Sequence, residues 1–239
     1  MTEPFSSYSQ LVLNTTQEID YIVDVQQPSQ EMALVAIHGG AIEPLTGEIV
    51  TAVAEDRYSR YVFDGRRENE IEALRIPLSR YDEIRLKALL QRSLAAVVID
   101  GSPEKESVVH LGGGNRPLLA HVRAAMEKLG YAPERLTLPG ASYTPSRLYN
   151  WPQRGGVLIE LSRGLRQSLL EGPLDARFRD AEARNERFQA LVDALQGAIV
   201  AYVAEALSDL DSTLQEFERA TDSIPRSIRS SYHHDHDHE

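Results

Sequence analysis

The sequence predicts an α/β fold: a mixed, mostly parallel sheet with helices on both faces, followed by a C-terminal helical extension. Short apolar runs without polar alternation indicate strands that are covered on both faces. Helical patterns separate these runs, and such alternation is typical of parallel sheets. The predicted strands are residues 32–37, 60–65, 72–79, 94–100, 107–113, 135–138 and 155–162, and the predicted helices are residues 44–57, 81–93 and 116–130.

Chemically active side chains lie where three of the predicted strands end. His38, Asp100 and Glu160 each stand at or near the end of an apolar run. In open α/β sheets, ligands bind outside the carboxyl ends of the strands. We therefore expect these side chains, with Glu43 in the loop after His38, to converge at one rim of the sheet.

The chain is expected to divide into four regions. These are a polar N-terminal segment without chemistry, the α/β domain, a helical extension and a disordered tail rich in His and Asp, at residues 1–30, 31–200, 201–230 and 231–239. Apolar residues from Phe188 to Phe217 recur at spacings of three and four, which indicates a long helix whose first half packs on the sheet. Its second half is either a further core helix or a self-association surface. We assign the tail no native role.

Composition excludes several classes of protein. The 239 residues contain no cysteine, which excludes disulfides, thiolate metal ligands and thiol nucleophiles. A formal net charge of −11 opposes binding to nucleic acid or to an anionic membrane. The N-terminal residues lack a signal-peptide pattern, and no apolar run approaches the roughly 18 to 20 residues that span a bilayer. We expect a soluble, cytoplasmic protein in which any metal ion has N or O ligands.

The stretch IHGGAIEPLTGEI, residues 37–49, places two potential metal ligands on either side of a glycine-rich turn. His38 and Glu43 could bind an ion together. Alternatively, His38 simply ends a strand, and Glu43 with Pro44 begins the following helix, where a carboxylate suits the helix dipole. The residues alone leave both interpretations open.

Two motifs carry a resemblance to a known family. HGGAIE with its T-G-E-I tail (residues 38–49) and IELSRGLR (residues 159–166) stand in the order and spacing of the poly-γ-glutamate hydrolases. The chain resembles these phage and bacterial zinc amidases, which are built like a compact metallocarboxypeptidase, over about residues 32–200. The resemblance implies a hydrolase acting on poly-γ-glutamate or on γ-glutamyl and related carboxylate-bearing peptides. Besides the expected cytoplasmic location, the resemblance implies that the protein could be phage-encoded or released on lysis.

The resemblance further implies roles for individual residues. His38 and Glu43 match zinc ligands, and Glu160 matches the general base or acid. A zinc ion held by three protein ligands lowers the pKa of its bound water towards about 7 and polarises the scissile carbonyl. The implied substrate-binding residues are Arg147, Asn150 and Arg166.

Several positions depart from the family pattern. Asp100 replaces the histidine that forms the third zinc ligand, and an oxygen-rich site favours Mn²⁺ or another harder ion as an alternative to Zn²⁺. Asp100 is otherwise a turn residue before a glycine. His110 could substitute as a ligand, but we prefer a strand histidine that only forms hydrogen bonds. Arg75 replaces another family histidine, and Leu158 replaces a glutamine.

Two hypotheses about function follow. The first is a metal-dependent amidohydrolase that cleaves γ-glutamyl or related amide bonds with metal-activated water. The second is a catalytically impaired member of the family that binds such a ligand, or binds a protein through its C-terminal helix. Metal stoichiometry would separate them, since about one tightly held ion supports the enzyme.

Overall fold

A seven-stranded mixed sheet forms the centre of the fold in the computed structural model, which describes residues 2–136 and 151–222. The order of strands across the sheet is β1-β3-β2-β4-β7-β5-β6. The strands are β1 (Tyr21–Gln26), β2 (Met32–Gly40), β3 (Ser59–Gly65), β4 (Ala95–Ser102), β5 (Val109–Gly113), β6 (Glu134–Arg135) and β7 (Gly156–Ser162).

Helices connect most of these strands. They are α1 (Tyr8–Asn14), α2 (Thr46–Ala54), α3 (Ile84–Gln91), α4 (Arg116–Lys128), α5 (Arg163–Ser168), α6 (Leu174–Arg177) and α7 (Glu186–Asp222). Side chains cap several of the starts: Asn115 accepts a hydrogen bond from the Leu118 amide at α4, and Ser162 accepts one from the Leu165 amide at α5. The serine cap fixes where β7 ends and α5 begins.

The pairing of the strands confirms the predicted fold class. The pairs β3–β2, β2–β4, β4–β7 and β5–β6 are parallel, whereas β1–β3 and β7–β5 are antiparallel. Every residue of β2 and β4 is buried, which agrees with apolar runs covered on both faces. The carboxyl ends of β2, β4 and β7 therefore meet at one edge of the sheet.

Two segments differ from the strand pattern expected from the sequence. Residues 72–79, predicted as a strand, form 3₁₀ turns at Ile71–Leu74 and Leu78–Arg80. Pro77 lies between the turns and has no N–H to donate to a strand partner. Residues 21–26, in the N-terminal segment expected to carry no chemistry, form the edge strand β1 beside β3.

The core lies on both sides of the central strands. One cluster joins Val35 and Val98 of the sheet to α1 and α3 through Leu11 and Leu86, with Leu158 of β7 in contact with them. The large apolar side chains in the first half of α7 are also buried, namely Phe188, Leu191, Val192, Leu195 and Ile199. Burial of these side chains fixes the strand ends that carry the polar residues.

The chain divides into a compact unit of residues 1–200 and a second unit that begins at Ala201. In the second unit the apolar side chains of Leu207, Leu210, Leu214 and Phe217 are exposed. By length and composition α7 could also cross a membrane, but 44% of its most apolar window is buried inside the protein. A buried core helix passes the same test, so the pattern indicates no membrane span by itself.

Candidate active site

Three polar side chains lie in a row across the carboxyl end of the sheet. Asp100 of β4 pairs in register with Glu160 of β7, and Glu160 pairs in register with His110 of β5. Side chains of residues that pair directly point to the same face of a sheet. The structure therefore brings the predicted residues Asp100 and Glu160 together and adds His110 to them.

His38 lies beside Asp100 at this edge. Its Nδ1 is 2.9 Å from Asp100 Oδ1, and its Nε2 is 2.7 Å from the carbonyl oxygen of Ile76. The pairing of β2 with β3 shifts its register between Ala36 and Gly39, next to His38. The structure thus confirms that His38 and Asp100 meet, although they are not direct partners in the pairing of β2 with β4.

The His38–Asp100 pair is charged. Both partners of the His38 ring are hydrogen-bond acceptors, so both ring nitrogens carry protons when both bonds form. Burial lowers the pKa of His38, but the Asp100 carboxylate and the Ile76 carbonyl outweigh burial and raise it above its usual value. Burial likewise raises the pKa of Asp100, and His38 together with the Gly101 amide lowers it overall. An imidazolium with both N–H groups donated has no lone pair for a metal ion.

Glu43 is held by two arginines. Arg166 Nη2 donates to Glu43 Oε2 at 2.8 Å, and Arg75 Nη1 forms an ion pair with Glu43 Oε1. Gly101 is required beside this network, because a Cβ atom there would lie 2.5 Å from Glu43 Oε2 and 2.9 Å from Arg166 Cζ. Gly101 therefore leaves room for the Glu43–Arg166 pair, and the carbonyl oxygen of the next residue, Ser102, accepts a hydrogen bond from Arg166.

Arg166 is completely buried. Besides Glu43, its guanidinium donates to the carbonyl oxygens of Leu161 at 3.1 Å, Pro44 at 2.8 Å and Ser102 at 3.1 Å. These bonds join the loop after β2 to the ends of β4 and β7. A substrate anion could contact Arg166 only if this network opened.

The set His38, Glu43 and Asp100, predicted as metal ligands, does not fit a metal ion in this arrangement. Both oxygens of Glu43 face arginines, and His38 is bonded at both nitrogens. Arg75 stands at a position where the sequence resemblance implies a histidine, and it supplies a fixed positive charge against Glu43. An ion could join Glu43 here only by displacing Arg75.

The Glu160 carboxylate differs from Asp100 and His110 in having no partner among the described residues. It is half-buried, and within residues 2–136 and 151–222 no hydrogen bond or ion pair to it is found. Burial, followed by the nearby negative charge of Asp100, raises the pKa of Glu160 to about 7. A carboxyl group with this pKa can take up and release a proton near neutral pH.

Glu104 completes a second group of polar residues around Glu160. Its Oε1 lies 3.2 Å from His110 Nε2, and the Ser102 hydroxyl donates to its other oxygen. In the part of the chain that is described, Glu104, His110 and Glu160 form the group whose three ligand atoms all lie within 4.8 Å of one another. This group, which could hold a metal ion, is centred on β5 and β7, whereas the predicted set is centred on β2 and β4.

Some predicted site residues lie elsewhere, and others were missed. Arg147 and Asn150 are outside the described residues. Arg75 was expected only as a departure from the family pattern, and no role was predicted for Glu104. A basic residue in place of a histidine near the predicted site was the available signal for Arg75. Glu104, four residues after Asp100, carried no comparable signal.

Comparisons with known proteins agree with the fold and with the family that the sequence motifs indicated. The family model for poly-gamma-glutamate hydrolase matches residues 5–194, so the chain belongs to the poly-γ-glutamate hydrolase family. The match begins well before residue 31 and therefore includes α1 and β1.

Curated relatives come from Bacillus subtilis (strain 168). The UPF0714 protein YndL is 27% identical over 185 residues, which cover 76% of this chain and 72% of YndL. The UPF0714 protein YmaC is 23% identical over 202 residues, which cover 82% of this chain and 84% of YmaC.

Solved structures share the fold. A bacteriophage poly-gamma-glutamate hydrolase superposes with a TM-score of 0.79 at 22% identity, covering 85% of this chain and 99% of that one. The zinc-free apo form of YndL superposes with a TM-score of 0.71 at 25% identity, covering 83% and 98%. These superpositions confirm the predicted α/β architecture.

Proposed function

We propose that this protein hydrolyses γ-glutamyl amide bonds, or related amide bonds in carboxylate-bearing peptides, with Glu160 as the group that transfers the proton. One observation carries the proposal: in a member of the poly-γ-glutamate hydrolase family, Glu160 stands without a partner among the described residues, between Asp100 and His110 at the carboxyl end of the sheet. An unpaired, half-buried carboxylate at this edge is suited to act on a bound substrate.

The proton transfers follow from the chemistry of the two carboxyl groups. Ionised Glu160 accepts a proton from water while the water oxygen forms a bond to the amide carbon. As the C–N bond breaks, Glu160 returns that proton to the leaving nitrogen, and the products are a carboxylic acid and an amine. Burial raises the pKa of Glu160, and the charge of Asp100, which stays ionised because it is paired with His38, raises it further.

Metal dependence was predicted from the family resemblance, and the zinc-free form of YndL supports zinc binding by that relative. In this chain, Arg75 and Arg166 occupy both oxygens of Glu43, as described above. The proposed proton transfers therefore assign no step to an ion at His38, Glu43 and Asp100. They depend on Glu160 and on the fixed charges around it.

Arg147 and Asn150 remain the proposed contacts to the substrate. The net charge of −11 gives no long-range attraction for a polyanion, so binding must depend on local cations. Arg163, near the site in sequence, is paired with Asp175 at 2.7 Å. This pairing favours Arg147 over Arg163 as a contact for the substrate carboxylates.

The proposal can be tested with a pair of matched polymers. Purified protein is incubated with poly-γ-glutamate and, separately, with poly-α-glutamate of similar length, and new amino termini are measured by mass spectrometry. We expect oligomers from the γ-linked polymer and about tenfold less product or none from the α-linked one. If neither polymer, nor any γ-glutamyl oligomer, yields new amino termini, the proposed function is wrong.

A further inference from the structure

We propose that Glu104, His110 and Glu160 form a divalent metal-binding site, separate from the position that the family resemblance implies at His38, Glu43 and Asp100. One imidazole nitrogen and two carboxylate oxygens are the ligand types that Zn²⁺ accepts in sites with an open coordination position. The same set also accepts Mn²⁺.

The distances in this cluster suit an ion. Two atoms bound tetrahedrally at about 2.0–2.1 Å from a metal ion lie about 3.3–3.4 Å apart. The Glu104 Oε1 to His110 Nε2 separation is 3.2 Å, and all three ligand atoms lie within 4.8 Å of one another. A small movement of the Glu160 side chain would bring its oxygen to the same spacing.

Two strands and an anchored loop hold the ligands in place. His110 and Glu160 are direct partners in the β5–β7 ladder. The Glu104 carbonyl oxygen accepts a hydrogen bond from the Gly164 amide at 3.0 Å, so the loop that carries Glu104 is tied to the start of α5. The Ser162 hydroxyl donates to the Glu106 carbonyl oxygen at 2.6 Å and ties the loop at a second point. The ligands are therefore positioned before any ion binds.

Neighbouring side chains provide the support that metal-bound residues usually have. Ser102 donates to the Glu104 oxygen that faces away from His110. On the other side of the imidazole, Glu134 Oε2 lies 3.9 Å from His110 Nδ1. A negative charge near the second ring nitrogen favours a proton there, and Nε2 could then bind an ion in place of its contact with Glu104.

The contrast with the His38 set explains why the ion would lie here. In that set, two arginines occupy Glu43, and both ring nitrogens of His38 lie within hydrogen-bond distance of oxygen atoms, at 2.9 Å and 2.7 Å. Around Glu160, by comparison, two carboxylates and one imidazole place their ligand atoms within 4.8 Å of one another, and among the described residues no arginine pairs with either carboxylate. A divalent cation would neutralise their charge, whereas at the His38 set the arginine already does so.

Occupation of this site has a consequence that rests on the proposed function. A Glu160 carboxylate that ligates a cation is a weaker base, because the positive charge lowers its affinity for the proton of water. Divalent metal should therefore inhibit hydrolysis at concentrations that fill the site. Metal binding itself does not depend on the protein being a hydrolase.

Calorimetric titration with Zn²⁺ tests the site in the full-length protein. To remove competition from the tail, the four histidines His233, His234, His236 and His238 are replaced by serine in every variant. We expect about one equivalent of Zn²⁺ in this background. Glu104→Gln and His110→Gln should each weaken binding by about tenfold or more.

Two control variants make the result specific. Glu106→Gln makes the same charge change at an exposed residue of the same loop, and its Zn²⁺ affinity should stay within about twofold. His38→Gln should also retain binding within about twofold. If His38→Gln abolishes binding while His110→Gln does not, the ion lies at the family position and the proposal is overturned.

Anomalous scattering at the zinc edge gives an answer that needs no variant. In crystals of the protein soaked with Zn²⁺, we expect a peak bonded to His110 Nε2, whereas a peak at His38 or no peak would overturn the proposal. Hydrolysis is then measured across the same Zn²⁺ range. Binding at His110 without inhibition would leave the metal site standing and overturn the proton-transfer role of Glu160.

Discussion

His38 Nδ1 lies 2.9 Å from Asp100 Oδ1, and this buried pair holds two charges inside the carboxyl end of the sheet. It raises the pKa of His38 and lowers the pKa of Asp100, against the effect of burial on each group. The pair therefore fixes Asp100 as an anion beside Glu160, and this charge adds to the effect of burial in raising the pKa of Glu160.

Replacement of Asp100 by asparagine should destabilise the protein by about 1.5–3 kcal/mol, the contribution of a hydrogen bond to a charged group. A raised His38 pKa stabilises the folded state fully below the unfolded value of 6.5 and loses this effect as pH rises through the folded pKa. A lowered Asp100 pKa stabilises above 3.8 and loses this effect as pH falls through the folded pKa. In urea unfolding, the variant should therefore lose the most free energy of unfolding at about pH 5–6 and less at pH 9. An equal loss at both pH values would contradict the charged pair.

The buried ion pair of Arg166 and Glu43 should contribute to stability without contact with substrate. Arg166→Met leaves Glu43 short of one partner and should cost about 3–5 kcal/mol in the free energy of unfolding. The double variant Glu43→Gln with Arg166→Met should lose less free energy of unfolding than the sum of the losses in the two single variants. Arg163→Met, in an exposed pair with Asp175, is the matched control and should cost less than about 1 kcal/mol. Additive losses in the double variant would show that the two side chains act independently.

Glu160→Gln should stabilise the protein at high pH and not at low pH. The folded pKa of about 7 lies above the usual value of 4.5, so the contribution of Glu160 to stability is present at low pH and is lost as pH rises through about 7. At pH 8 the wild type must keep a negative charge beside Asp100, whereas glutamine carries none. The difference in unfolding free energy between variant and wild type should therefore rise from pH 5 to pH 8. A difference that is constant over this range would show that the pKa of Glu160 is not raised in the folded protein.

Restoration of the family's metal position should need two changes. Asp100→His alone leaves Arg75 against Glu43, so zinc affinity at that position should change less than about threefold. Asp100→His with Arg75→His removes the competing cation and should raise the affinity by about tenfold or more. Both are measured by calorimetry with His110→Gln and the four tail substitutions as background. A large gain from Asp100→His alone would show that Arg75 does not block the position.

The sequence predicted the fold and the neighbourhood of the site well, because both depend on local patterns. Apolar runs placed β2, β4 and β7, and strand ends placed His38, Asp100 and Glu160 at one edge. The prediction for residues 72–79 was wrong, since the apolar residues there are buried from 3₁₀ turns on either side of Pro77. Apolar content alone could not distinguish a turn from a strand.

The partners of the site residues were not predictable from the sequence. Arg75 contacts Glu43 across 32 positions and Arg166 contacts it across 123. No local pattern encodes such contacts, and they decide whether Glu43 is a metal ligand or half of an ion pair. Glu104 likewise joins His110 and Glu160 only through the antiparallel pairing of β5 with β7. That β5 runs against its neighbour could not be read from its apolar run.

The role of Glu160 as the proton-transfer group is tested most directly by kcat/KM for hydrolysis of a γ-glutamyl oligomer, measured for wild type, Glu160→Gln and the control Glu106→Gln. General acid–base catalysis contributes about 10²–10⁴-fold, so Glu160→Gln should lose at least about 10²-fold while Glu106→Gln stays within about twofold. The wild-type value should also fall below about pH 7 as Glu160 takes up its proton. A Glu160→Gln protein that keeps its activity within about tenfold of wild type would contradict the account.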